Sequence, residues 1–219
     1  MLTPYRIFQK LLKQYDYQYW WPANSPFEVM VGAILTQNTS WTNVEKAIIN
    51  LNKNKALSCH KIIKMSDENL AELLRPVGYF NVKARRLKNF CNWYQTSNNS
   101  EQTNTDCLRR ELLSINGVGP ETADDILLYA FRRPVFVIDA YTRRLFSRLE
   151  LIEDNKSYEE LRSWFETKLK RVKNKVALFN EYHALIVQHA KAHCRARKPL
   201  CETCCLKRSC AYAKANRKF

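Results

Sequence analysis

The fold is decided by the stretch Leu113-Ser-Ile-Asn-Gly-Val-Gly-Pro-Glu-Thr-Ala-Asp-Asp-Ile-Leu-Leu-Tyr-Ala-Phe131. Apolar residues recur at helical spacing on both sides of its two glycines, and Pro120 suits the first turn of a second helix. We therefore predict a helix, a tight hairpin and a second helix. The backbone N–H groups of Gly117, Val118 and Gly119 would form a cradle for a phosphate oxygen. A hairpin that only turns the chain is the alternative.

The composition favours a polyanionic partner. The 219-residue chain has 36 Lys and Arg against 21 Asp and Glu, a net charge of +15, and its sequence pI is about 9.5. Such a surplus favours salt-sensitive binding to phosphates. No apolar run approaches the roughly 18 residues of a membrane span, and no signal peptide is evident. We expect an intracellular, cytoplasmic, nucleoid-associated monomer.

Hydrophobic periodicity predicts an all-α protein. The predicted helices cover residues 5–15 (with Thr3 as N-cap), 26–35, 43–51, 66–74, 140–149 and about 175–193, and Ser157 to Glu160 form a capping box. Strand-like alternation is missing apart from residues 135–138. A polar linker is expected at 96–105. The basic run of Lys83, Arg85, Arg86 and Lys88 is more typical of a solvated helix face than of a specific site.

Four of the eight cysteines follow a metal-binding pattern, Cys194-x6-Cys201-x2-Cys204-x5-Cys210. In a basic intracellular protein, metal binding is favoured over disulfides. Structural zinc and a [4Fe–4S] cluster are the two candidates. Cys205 lies outside the spacing and is expected not to be a ligand. The remaining three, Cys59, Cys91 and Cys107, are expected to be small buried hydrophobes.

Two runs carry a family resemblance: Ile115-Asn-Gly-Val-Gly-Pro-Glu-Thr-Ala123 and Val137-Ile-Asp-Ala-Tyr-Thr-Arg-Arg144. Together with the cysteine spacing, they resemble the helix-hairpin-helix DNA glycosylases of the endonuclease III type. The resemblance implies a six-helix barrel at 23–133 and a second helical domain made of 1–22 and 134–219. It implies a structural [4Fe–4S] cluster in the loop 194–210, which favours iron–sulfur over zinc. The expected partner is double-stranded DNA containing a damaged base.

The resemblance also implies the chemistry. Asp139 matches the aspartate that stabilises an oxocarbenium-like sugar and polarises an attacking water. Its alternative role, compatible with the first, is an N-cap for the helix at 140–149. Bifunctional members carry a lysine nucleophile two residues after the last glycine of the hairpin, and this chain has Glu121 there. Glutamate cannot form a Schiff base, so we expect a glycosylase without lyase activity.

Four short runs resemble those of the 3-methyladenine glycosylases in this superfamily: Pro120-Glu-Thr-Ala123, Ile138-Asp-Ala-Tyr141, Trp20-Trp21-Pro22 and Thr36-Gln-Asn-Thr-Ser-Trp41. An alkylated purine is cationic, and electron-rich rings attract a cationic ring. We predict Trp20, Trp21 and Trp41 as walls of the base pocket, with Glu121 complementing the charge of the base. Base flipping would be accompanied by insertion of Gln37 and by stacking of Tyr79 against the opposite strand. The other predicted DNA contacts are Arg143 and the hairpin residues.

Two alternatives stay open at this point. One is a glycosylase of the same scaffold acting on oxidised pyrimidines or mismatches. The other is a non-catalytic iron–sulfur DNA-binding protein, which would have no need of a carboxylate at Asp139.

Overall fold

A computed structural model describes residues 2–97 and 103–216. Its first six α-helices are α1 (Pro4–Tyr15), α2 (Pro26–Leu35), α3 (Trp41–Lys53), α4 (Cys59–Lys64), α5 (Asp67–Leu73) and α6 (Phe80–Thr96). The remaining six are α7 (Thr105–Ser114), α8 (Pro120–Asp125), α9 (Ala140–Arg148), α10 (Tyr158–Lys168), α11 (Lys175–Ala192) and α12 (Ala211–Ala215). No strand occurs among the described residues, so the all-α prediction is confirmed.

Local end signals explain most of the helix boundaries. The side chain of Thr3 accepts a hydrogen bond from the backbone N–H of Arg6 at the start of α1, as predicted. Ser25 caps α2 in the same way, and Pro26 is its first residue. The capping box of Ser157 and Glu160 is also present. Such caps satisfy N–H groups that have no partner inside the helix.

The chain splits into two compact units, Met1–Trp20 with Pro134–Phe219, and Trp21–Arg133. These boundaries lie close to the expected ones at residues 22/23 and 133/134. The first unit contains α1 and α9 to α12, and the second contains α2 to α8.

The core of the first unit is a cluster of aromatic rings around Phe136. Its ring stacks on that of Phe165 with centroids 4.2 Å apart, and Phe146 meets Phe165 edge to face at 4.6 Å. Tyr182 on α11 is fully buried and its hydroxyl donates to the carbonyl of Pro4, 2.7 Å away, which joins α11 to α1. Each aromatic pair contributes about 0.5–1.5 kcal/mol beyond area burial. Residues 135–138 are buried there without forming a strand.

The second unit is organised around α2, in which residues 28–35 are all buried. The helices α7 and α8 are joined by a buried ion pair between Arg109 and Asp124. Arg109 Nε donates to Asp124 Oδ1 at 2.6 Å and Nη2 donates to Oδ2 at 3.2 Å. Such two-point contacts fix orientation as well as distance. After α8 the chain continues as one π-helical turn, Ile126–Ala130.

One helix was missed, and three expectations need correction or restriction. The short helix α4 was not predicted; it buries only Ile62 and packs on α6. Lys83 does not lie on a solvated face, because it is 2% exposed. Cys91 is buried as expected, but Cys59 and Cys107 are only half-buried. Residues 98–102 of the predicted linker at 96–105 lie outside the described residues, while Thr96 ends α6 and Thr105 begins α7.

Candidate functional site

Asp139 is held by two partners in the first unit. It is the N-cap of α9, and its Oδ1 accepts a hydrogen bond from the backbone N–H of Thr142 at 2.6 Å. Its Oδ2 lies 3.4 Å from Nε2 of His183, a residue of α11 that is 4% exposed. The cap role predicted for Asp139 is therefore present.

The surroundings of Asp139 favour its ionised form. Burial alone raises the pKa of this carboxyl, but the hydrogen bond and charge of His183 and the N–H of Thr142 act in the opposite direction. The net effect lowers the pKa of Asp139 below its usual value. A carboxylate that is buried, ionised and held by a helix start is poised to stabilise positive charge without reorganising.

Sequence reasoning missed His183. The ring of Trp20 lies against it, with centroids 5.7 Å apart, so His183 is in contact with both Asp139 and one of the predicted pocket residues. A histidine 44 positions from Asp139 has no local pattern that relates the two. Helical periodicity places His183 on α11 but does not identify its partner.

The other two predicted tryptophans belong to the second unit. The rings of Trp21 and Trp41 meet edge to face at 5.1 Å, and Tyr129 meets Trp21 at 5.2 Å. A Cβ on Gly32 would lie 3.2 Å from the ring of Trp21, so a glycine lets this ring lie close to α2. The indole N–H of Trp41 donates to Glu45 at 2.8 Å. The result is a half-buried aromatic cluster within the unit.

The hairpin connects α7 to α8 as predicted. Gly117 has a φ of +97°, and a Cβ at that position would lie 2.3 Å from Cγ of Arg86. Only glycine satisfies both conditions. Gly119 precedes Pro120 at the start of α8, and a Cβ there would meet no described atom within 4 Å. Gly119 and Glu121 are both exposed.

Gln37 is tied to this hairpin. Its Nε2 donates to the carbonyl of Gly117 at 3.0 Å and to the hydroxyl of Thr122 at 2.9 Å. Its Oε1 accepts from the guanidinium of Arg86. The Gln37 side chain is therefore part of a hydrogen-bond network centred on the hairpin.

Tyr79 is exposed and conformationally strained. Its side chain is 78% exposed, and its backbone is left-handed with φ of 45° and ψ of 33°. Left-handed backbone costs a residue with a Cβ about 1–2 kcal/mol. Arg143, the remaining predicted DNA contact, donates from Nη1 to the carbonyl of Lys156 at 2.7 Å.

The four predicted cysteine ligands line one cavity. Its walls also include His189 and the apolar residues Leu145, Leu149 and Leu206, whereas Cys205 does not contribute. Burial raises the pKa of the Cys204 thiol to about 11, and repulsion from neighbouring thiols acts in the same direction. No group of three or more His, Cys, Asp or Glu side chains within residues 2–97 and 103–216 is arranged to hold a metal ion.

Arginines of α9 anchor the start of the cysteine loop. Arg144 donates to the carbonyl of Cys194 at 2.8 Å, and Arg148 donates to that of Arg195 at 2.7 Å. The guanidinium of Arg148 also lies over the ring of Tyr212, 4.4 Å from its centroid. The helix α9, whose N-cap is Asp139, therefore contacts both the start of the loop and the helix α12 that follows it.

A family model describes this combination of helices and hairpin. The chain belongs to the HhH-GPD superfamily of base-excision DNA repair proteins, whose model matches residues 31–171. Within the described residues, no helix has the length and apolar character needed to cross a membrane.

Individual relatives extend the likeness over nearly the whole chain. A candidate DNA repair glycosylase of Methanocaldococcus jannaschii is 50% identical over 94% of each chain. Endonuclease III of Sulfolobus acidocaldarius is 31% identical over 85% of this chain and 82% of its own.

Solved structures give the same picture. The 3-methyladenine DNA glycosylase MagIII of H. pylori, bound to 1,N6-ethenoadenine, is 31% identical with a TM-score of 0.74, covering 87% of this chain and 98% of that one. A non-covalent endonuclease III–DNA complex is 25% identical with a TM-score of 0.81, covering 98% of both chains.

Proposed function

We propose that this chain is a monofunctional DNA glycosylase that releases alkylated purines such as 3-methyladenine. The observation that carries the proposal is the aromatic cluster of Trp21, Trp41 and Tyr129, whose rings meet at 5.1 and 5.2 Å. Cation–π attraction of an alkylated purine to such rings is worth about 0.5–2 kcal/mol. The 31% identity to MagIII, a 3-methyladenine glycosylase, supports the same substrate class.

Asp139 supplies the electrostatic part of the reaction. The C1′–N bond breaks, and its electron pair leaves with the purine and neutralises the positive charge of the base. Positive charge develops on the sugar, where an ionised carboxylate stabilises it. The oxygen of a water molecule then bonds to C1′, and the proton that it loses passes to Asp139 or to solvent. His183 is a positioning residue because it acts through the carboxylate, 3.4 Å away.

Glu121 accounts for the absence of lyase activity. A lyase of this family forms a Schiff base through lysine at this position, and a carboxylate is no nucleophile for that reaction. Glu121 is exposed at the first turn of α8. The reaction therefore ends at an abasic site with an intact strand. An acidic side chain here also complements the charge of an alkylated base.

DNA binding uses the hairpin and two side chains beside it. The N–H groups near Gly119, where no described atom would obstruct a Cβ, receive a phosphate oxygen. Gln37 enters the duplex at the space left by the flipped base, and the exposed ring of Tyr79 stacks on the opposite strand. Arg143 contributes a further cationic contact to the DNA backbone.

We propose that the cysteine loop holds a [4Fe–4S] cluster. Four thiols and no carboxylate line the cavity among the described residues, which suits soft iron–sulfur chemistry. Burial raises the pKa of the Cys204 thiol, and a bound metal would compensate the charge of its thiolate. Cys194, Cys201, Cys204 and Cys210 would be the ligands, and the cluster would fold the loop.

An endonuclease III-type glycosylase for oxidised pyrimidines is the second candidate. The 31% identity to endonuclease III of S. acidocaldarius favours it. The two candidates differ in the released base and in whether the strand is cut.

The deciding experiment supplies both kinds of lesion. Purified protein is incubated with methylated duplex DNA and with a duplex carrying an oxidised pyrimidine, and the released bases are chromatographed. We expect 3-methyladenine from the first without strand nicking, and a rate reduced about 100-fold or more in Asp139→Asn. Release of the oxidised pyrimidine alone would replace this proposal with the second candidate.

A further inference from the structure

A buried lysine connects the two loops that carry Gln37 and Tyr79. Lys83 lies in the first turns of α6 and is 2% exposed. Its Nζ donates to the carbonyl of Leu35 at 2.9 Å and to the carbonyl of Val77 at 2.9 Å. An ammonium group is costly to bury, and it is retained in a core only when its donors have good partners.

The two carbonyls are not arbitrary partners. Leu35 is the last residue of α2, and Val77 is the last residue of the 3-10 turn Arg75–Val77. Carbonyls at helix ends lack partners inside the helix and carry partial negative charge. One ammonium therefore satisfies the ends of two helical segments. Burial, with a smaller contribution from Arg86, lowers the pKa of Lys83 to about 8.

Both carbonyls lie two residues before a side chain expected to enter DNA. Leu35 precedes Gln37 by two positions, and Val77 precedes Tyr79 by two. The last carbonyl of α2 and the last carbonyl of the 3-10 turn both accept hydrogen bonds from Lys83. The starting points of the two loops are therefore held at the same Nζ atom. One side chain bonds the start of both loops.

The next turn of α6 continues this control. Arg86 donates to Oε1 of Gln37, and its side chain packs against Gly117 of the hairpin. Lys83 thus contacts the start of both loops, and Arg86 contacts the Gln37 side chain of one of them. Both residues lie within the unit Trp21–Arg133.

We propose that Lys83 is a positioning residue that holds Gln37 and Tyr79 at the separation required for both to enter the duplex together. The proposal rests on the proposed function, in which these side chains fill and flank the space left by a flipped base. Without Lys83, each loop keeps its side chain but loses its fixed distance from the other. The preference for a duplex that lacks one base should then fall, whereas the affinity for undamaged duplex DNA should not.

The test uses a duplex with a tetrahydrofuran abasic analogue, which needs no base release. Binding of the full chain to this duplex and to the matched undamaged duplex is measured at one salt concentration. For Lys83→Met we expect the ratio of the two affinities to fall roughly 3- to 30-fold, with little change in binding to undamaged DNA. Fluorescence of 2-aminopurine opposite the analogue reports insertion directly, and its response should fall in parallel.

Lys88→Met is the matched control. Lys88 is on the same helix and donates to a backbone carbonyl, that of Met65 at 2.6 Å, which belongs to neither loop. This variant should retain the wild-type ratio. Lys83→Arg, which keeps the charge and several donors, should retain more of the preference than Lys83→Met.

The outcomes separate the inference from the function on which it rests. If the wild type does not prefer the abasic duplex, the proposed mode of DNA binding is wrong. If the wild type does and Lys83→Met keeps the full ratio while melting cooperatively, the positioning role is wrong. Should Lys83→Met fail to fold, Lys83→Gln is measured instead, because its amide retains a donor but lacks the reach for both carbonyls. An unchanged ratio in Lys83→Gln would equally overturn the inference.

Discussion

Nε2 of His183 lies 3.4 Å from Oδ2 of Asp139, while the backbone N–H of Thr142 donates to Oδ1 of the same carboxylate at 2.6 Å. The helix start fixes one oxygen of Asp139 and the imidazole faces the other. Burial would make this carboxyl harder to ionise, and the two contacts reverse that effect. The relationship connects the capping of a helix to the charge of the proposed catalytic group.

Replacing His183 with glutamine should change the pH dependence of base release. The pKa of Asp139 is lowered mainly by His183 acting against burial, so its loss should raise that pKa. Activity that requires the ionised carboxylate is then lost at a higher pH, so the acidic limb of the kcat/KM profile shifts to higher pH. His60→Gln, at an exposed position of α4, should leave the limb unchanged. An unshifted limb in His183→Gln would contradict the role of His183.

Asp139 should also contribute to the acid sensitivity of the fold. Its pKa is lowered in the folded protein, so its stabilising effect is present above the usual carboxyl pKa and is lost as the pH falls through the lowered value. Asn at position 139 can still cap α9 but does not titrate. The difference in free energy of unfolding between wild type and Asp139→Asn should shrink from neutral pH to about pH 3. Urea unfolding at several pH values measures this difference in free energy of unfolding. A difference that stays constant with pH would contradict the role of Asp139 in acid sensitivity.

Local signals in the sequence predicted much of the fold. Caps and apolar spacing predicted the full extent of α2 and the start of α1. They also predicted the hairpin and the place of Asp139 at the beginning of α9. These features depend on residues within one helical turn of each other. Such contacts are visible in a linear pattern.

Features that depend on distant partners were not predictable in this way. Lys83 looks like part of a solvated basic run until the carbonyls of Leu35 and Val77 are brought to it. The role of His183 becomes visible only when the fold brings it next to Asp139. The helix α4 has six residues, too few to be stable without the packing of α6. Each of these was decided by tertiary contacts.

Glu121 should determine whether the enzyme can be trapped on DNA. With a carboxylate at this position, we expect no covalent adduct when the reaction is reduced with sodium borohydride, since no Schiff base forms. Glu121→Lys introduces an amine at the position used by the bifunctional members of the family and should produce a trapped complex. Gel electrophoresis under denaturing conditions measures the fraction of DNA that is covalently trapped. Trapping of the wild type would show that another residue acts as the nucleophile.

The ion pair between Arg109 and Asp124 should be costly to break from one side. Both residues are buried, so Arg109→Met leaves the carboxylate of Asp124 without its main counter-charge. We expect a loss of about 3–5 kcal/mol in the free energy of unfolding. The double variant Arg109→Met with Asp124→Leu should recover much of this loss, because neither buried charge of the pair remains. Additive losses in the double variant would show that the pair does not act as a unit.

Two adjacent cysteines should differ in their effect on the cluster. Cys204 lines the cavity with the other three ligand candidates, whereas Cys205 does not. Cys204→Ser should therefore lose most of its iron and acid-labile sulfide, and Cys205→Ser should retain four of each per chain. Because the arginines of α9 bind the start of this loop, loss of the cluster should lower Tm as well. Zinc without sulfide in the purified protein would replace the cluster with a structural zinc ion, and equal iron loss in both variants would remove the distinction between the two cysteines.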